Sequence, residues 1–77
     1  MKITLHLSGG LRAVLAHLPE EMTIHVDGTA SVREILVEAE INPLLVMLVT
    51  VDGKRGEKDQ VIDHDARIGL VGPMAGG

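Results

Sequence analysis

Side chains able to do covalent chemistry are scarce in this sequence. Cysteine is absent, so no thiolate nucleophile, disulfide, zinc–thiolate or iron–sulfur site can form. The serines are Ser8 and Ser31, and Ser31 is better explained as a helix cap than as a nucleophile. The four histidines are His6, His17, His25 and His64. Alternation puts His6 and His25 on the polar faces of two strands, where they can sit across from each other. No third ligand accompanies them, so two exposed side chains are a better reading than a metal site. Asp63-His64-Asp65 has the residue types of an acid–base cluster, but aspartates in a turn more often bond nearby backbone N–H groups. Lys54, Arg55 and Lys58 form a small basic knuckle without Walker spacing, read as a solvated hairpin tip. Gly9-Gly10 lacks the G-x-G-x-x-G pattern of a phosphate cradle. No catalytic residue and no metal site is assigned.

The segment Gly72-Pro73-Met74-Ala75-Gly76-Gly77 is different. Pro73 lacks the N–H that a ladder needs, so residues 72–77 are expected to leave a body of residues 1–71 as a flexible tail. Extended, such a tail reaches about 20 Å. Gly76 and Gly77 have no Cβ and can thread a slot too narrow for other residue pairs, with Pro73, Met74 and Ala75 shaping the approach. Gly77 would then present its α-carboxylate inside an active site on another protein. Adenylated, that carboxylate is an acyl electrophile: sulfur converts it to a thiocarboxylate, an amine to an isopeptide. The bland alternative is a frayed end that happens to finish in glycine.

The elements that must carry this tail follow from hydrophobic periodicity. Lys2 to Ser8 alternates, with Ile3, Leu5 and Leu7 on one face, and predicts a half-buried strand. Leu11, Val14, Leu15 and Leu18 recur at helical spacing before Pro19. Met22 to Asp27 alternates again and ends at the Asp27-Gly28 turn. Ser31 and Glu34 make a capping box, with Thr29 as a rival cap, for a helix whose apolar stripe is Val32, Ile35, Leu36 and Ala39. Asn42-Pro43 stops it. Leu44 to Val51 is nearly all apolar and reads as a central strand buried on much of both faces, closed by Asp52-Gly53. Lys54 to Asp59 reads as a polar loop or hairpin tip, Val61-Ile62 as a short strand, and Arg67 to Val71 as the last strand, with Ile68 and Leu70 on one face. One main helix among four or five strands predicts an α+β roll with a mixed sheet, the ubiquitin-like β-grasp being the best-known fit.

Size and charge limit the partners. A 77-residue chain has room for one core and no deep cleft. Tyr, Trp and Phe are absent, so the core must be aliphatic. A net charge of −4 and the lack of stacking aromatics argue against nucleic acid. No signal-peptide core or membrane-length apolar run is present, which predicts a cytoplasmic protein that meets other proteins.

The chain resembles the MoaD/ThiS family of ubiquitin-like sulfur carriers, in particular its MoaD branch. The resemblance is carried by Gly9-Gly10-Leu11-Arg12, by residues 29–36 (TASVREIL), by Leu48-Val49-Thr50-Val51-Asp52-Gly53, and above all by residues 68–77 (IGLVGPMAGG). It departs from the family at Asp63-His64-Asp65-Ala66, where Asp-Gly-Asp-Glu is common, and in lacking phenylalanine. The resemblance implies a non-enzymatic carrier that binds no cofactor itself. A ubiquitin-activating-type adenylyltransferase would use ATP to activate Gly77, and a sulfurtransferase system would form the thiocarboxylate. A synthase large subunit would accept the sulfur, for molybdopterin in the first place, with thiamine thiazole, a sulfur amino acid or tRNA thiolation as the open alternatives. A docking surface is expected on the sheet face not covered by the helix, with Leu48, Leu70 and Val71 as its candidate residues.

Overall fold

A computed structural model describes residues 1–73. Strand β1 (Lys2–Ser8) is followed by a short helix α1 (Leu11–Val14), strand β2 (Glu21–His25) and a two-residue strand β3 (Ala30–Ser31). Helix α2 (Val32–Glu38) leads through a 3₁₀ turn at Pro43–Leu45 to β4 (Leu48–Val51), β5 (Lys54–Gly56), β6 (Val61–Ile62) and β7 (Ala66–Val71). The main sheet has the order β2-β1-β7-β4-β5, and β3 pairs separately with β6. Only β1 and β7 run parallel, from Ile3 opposite Ala66 to Ser8 opposite Val71. The first and last strands thus form the centre of a mixed sheet, as the α+β roll predicts.

The alternation of β1 and β7 decides which sheet face is dry. Ile3, Leu5, Leu7, Ile68 and Leu70 are fully buried, and Val49 and Val51 of β4 are nearly so. Val32, Ile35 and Leu36 of α2 close the core from the other side, and Leu11 and Leu15 cover one end. No polar side chain is buried among the described residues.

Helix α2 is bounded by its own sequence. Glu34 N–H donates to Ser31 Oγ at 3.1 Å and Ser31 N–H to Glu34 Oε1 at 2.9 Å, completing the capping box. The N–H groups of Val32 and Arg33, which have no intrahelical partner, donate to the carbonyls of Gln60 and Lys58. At the other end Glu40 takes φ 62°. Its N–H reaches the Val37 carbonyl and Ile41 N–H the Leu36 carbonyl, the Schellman pattern. The helix therefore ends before Asn42-Pro43, and Asn42 instead caps the 3₁₀ turn through Oδ1 and Leu44 N–H.

Several expectations need correction. Leu44 to Val51 is not one doubly buried strand: Leu44 and Met47 are 80% and 65% exposed, and only residues 48–51 join the sheet. Lys54–Gly56 is an edge strand rather than a loop, since Asp52 (φ 51°) and Gly53 (φ 84°) form a tight turn that keeps Lys54 opposite Val51. His25 lies opposite Lys2 and His6 opposite Glu21, so the two histidines are at opposite ends of the β1–β2 ladder. Helical structure after Gly10 stops at Val14, which is exposed.

Candidate functional site

The face of the sheet away from α2 carries the alternate residues of each strand. One row runs Glu21, His6, Gly69, Thr50 and Arg55 across all five strands. A second holds Thr23, Thr4 and Arg67. Both rows are polar, and ion pairs tie them together and to their surroundings: Arg67 of the second donates to Glu21 of the first at 2.8 Å and 3.4 Å, while Glu20, outside the rows, lies 3.2 Å from both His6 and Arg12. The third row, Ser8, Val71 and Leu48, lies where β7 ends.

That row is the apolar end of the open face. Leu48 is 39% exposed and Val71 half-buried. Met47, whose N–H donates to the Val71 carbonyl at 2.7 Å, and Leu44 are exposed in the segment just before β4. Leu70 does not belong to this surface. Its side chain points to the helix side and is wholly buried, because adjacent residues of a strand face opposite ways. The sequence shows Leu48 and Val71, but Met47 and Leu44 were hidden inside what looked like a buried apolar run.

The ladder ends at Val71, yet the chain stays attached. Gly72 is buried and its N–H donates to Ser8 O at 3.3 Å. Pro73 O accepts from Gly10 N–H at 3.0 Å. The body thus runs through Pro73, two residues past the boundary drawn from sequence. Met74, Ala75, Gly76 and Gly77, the remaining predicted site residues, lie outside the described residues.

The opposite end of β1 and β7 is charged. His64 Nδ1 lies 2.9 Å from Asp63 Oδ1 and Nε2 lies 3.0 Å from Asp52 Oδ2. A neutral imidazole has one N–H, so only the imidazolium donates to both carboxylates. The bond to Asp63, then that to Asp52, raises the His64 pKa above its ordinary value. Asp52 is lowered, first by the Arg67 N–H bonded to it and then by His64; Asp63 is lowered by His64. Asp65 accepts from Lys2 N–H at 2.7 Å, a long-range bond across the β1–β7 end rather than the local turn bond expected of it. The cluster is solvent-exposed, and no group of three or more His, Asp and Glu able to hold a metal ion occurs among the described residues. Two surface depressions, one bounded by Lys2, Asp52 and Arg67 and the other by Arg33, Val37 and Glu38, are shallow and open. No helix among the described residues is long and apolar enough to cross a membrane.

No family model matches the chain, and no curated protein sequence does. Solved structures do. The crystal structure of SAMP1 from Haloferax volcanii is 19% identical, with all of both chains covered and a TM-score of 0.74. A protein described as "Putative molybdopterin converting factor, subunit 1" from Pyrococcus furiosus is 18% identical, over 96% of this chain and 99% of the other, with a TM-score of 0.68. At such identities the likeness is one of fold, and this chain has the ubiquitin-like β-grasp fold that those two proteins share.

Proposed function

We propose that this chain is a ubiquitin-like sulfur carrier that works through the α-carboxylate of Gly77, as the small subunit of a molybdopterin synthase. One observation carries the reading: β7, whose end lies beside exposed Leu48 and includes half-buried Val71, leads into the segment that carries Gly76-Gly77, in a body folded like a converting-factor subunit.

In this reading a ubiquitin-activating-type adenylyltransferase docks on Leu48 and Val71 and takes Gly77 into its active site. The carboxylate attacks the α-phosphorus of ATP and pyrophosphate leaves. A persulfide then displaces AMP, and a thiol cleaves the resulting S–S bond, leaving a thiocarboxylate on Gly77. The carrier presents that sulfur to a synthase large subunit. In this reading it binds no cofactor; ATP and the catalytic groups belong to its partners.

The test is the intact mass of the chain after incubation with ATP, the adenylyltransferase and a sulfur donor. Replacement of one oxygen by sulfur, mapped to Gly77, is the expected result. Isopeptide adducts on lysines of other proteins would instead make the chain a modifier. Function retained after deletion of Gly76-Gly77 would make it a plain interaction module.

A further inference from the structure

Three glycines meet where the tail begins, and each has its own reason. Gly9 has φ 64°, a left-handed conformation that turns the chain from β1 into α1. Gly10 has ordinary helical angles, φ −64° and ψ −14°, which any residue could adopt. What it needs is space: a Cβ there would drive into the carbonyl oxygen of Pro73. Gly72 is the counterpart. A Cβ on it would collide with the Leu11 side chain and come within 2.7 Å of the Leu11 nitrogen. Neither crowding atom is the far end of a flexible side chain, so neither clash is relieved by a rotamer change.

We infer that Gly10 and Leu11 form a main-chain clamp on Gly72-Pro73 that fixes where, and in what direction, the reactive tail leaves the body. The grip has two bonds, both on the β1 side: Ser8 O accepts from Gly72 N–H and Gly10 N–H donates to Pro73 O. Leu11, fully buried, covers Gly72. Pro73 cannot donate a backbone bond, but its carbonyl is the one held, and its ring fixes φ at the last gripped residue. Residues 74–77 then span at most about 14 Å, against about 20 Å for a tail free from Gly72.

The inference rests on the sulfur-carrier reading and adds Gly10 and Gly72 to it as positioning residues. A carboxylate that must meet the α-phosphorus of ATP in a partner's slot gains from a fixed starting point, because small displacements of reacting groups cost large factors in rate. Docking through Leu48 and Val71 does not depend on the clamp. The clamp should therefore act on kcat for adenylation and leave KM for the carrier unchanged.

Two variants test this with the adenylyltransferase of the same organism. Gly10→Ala should open the clamp, seen as loss of hydrogen-exchange protection at the Gly72 amide with the β1–β7 amides still protected. Its adenylation kcat should fall roughly tenfold with KM held. Insertion of two glycines after Pro73 leaves the clamp closed but lets the carboxylate overshoot by up to about 7 Å. It should lower kcat similarly, and it decides the question alone if Gly10→Ala fails to fold. An unchanged kcat in the insertion variant, or in a folded Gly10→Ala that has lost Gly72 protection, overturns the clamp's role and leaves the carrier reading intact. No adenylation of the unmodified chain overturns the carrier reading, and the positioning role with it.

Discussion

The two ends of the central β1–β7 pair are built on different principles. At the end where β7 begins, side chains make the connections: His64 between Asp52 and Asp63, and Asp65 on Lys2 N–H. At the end where β7 finishes, the backbone makes them, with Gly10, Gly72 and Pro73 at distances that side chains would forbid and with exposed Leu48 and half-buried Val71 beside them. Exposed ion pairs contribute little and yield to salt and pH. Close backbone packing tolerates almost no substitution. The first end suits a surface that only has to hold turns together, the second a surface that has to aim something.

The strongest way to break that contrast is removal of Gly76-Gly77. Adenylation should be abolished, while the thermal melt of the remaining chain stays where it was, since the described core ends before those residues. Substitution within β7 comes next. Leu70→Ala should cost about 2–5 kcal/mol in urea unfolding, because it hollows a fully buried site. Val71→Asp, one residue along on the open face, should instead weaken adenylyltransferase binding by roughly tenfold or more with a smaller loss of stability. Equal loss of stability in both would mean that Val71 belongs to the core and not to the docking surface.

Glu40→Gly probes neither end and calibrates both. It removes a left-handed strain at the close of α2 and should raise stability by up to about 1 kcal/mol, with adenylation unchanged.

The smallest effect should come from the charged end, and its sign is fixed. His64 has a raised pKa, so its contribution is full below the ordinary histidine value and is lost as pH rises through the raised one. Asp52 and Asp63 are lowered, so theirs is present above the ordinary aspartate value and lost as pH falls through the lowered one. The stability difference between the unmodified chain and His64→Gln should be greatest at about pH 5 and shrink toward about pH 9 and about pH 2. In an NMR titration Asp63→Asn should lower the His64 midpoint more than Asp52→Asn does. A midpoint that neither change moves would remove the cluster from the picture.

Local patterns were legible wherever a short stretch carries its own physics. The alternation of Lys2 to Ser8, the Ser31–Glu34 capping box and the Asp52-Gly53 turn each depend on neighbours a few residues away. Leu44 to Val51 differs for the opposite reason: an apolar run looks the same in sequence whether it is buried or, as at Leu44 and Met47, exposed. Leu70 was misassigned by one residue, which in a strand means the other face. His64 was legible as a turn residue, but its second carboxylate, Asp52, is twelve positions away.

The sequence by itself determined the element types, the aliphatic core and the diglycine ending, because periodicity, composition and caps are local properties. Only the tertiary structure decided what the glycines near residues 10 and 72 are for. Their partners lie some sixty residues apart in the chain and meet because β1 and β7 pair in parallel, so the space they save exists only in the folded sheet.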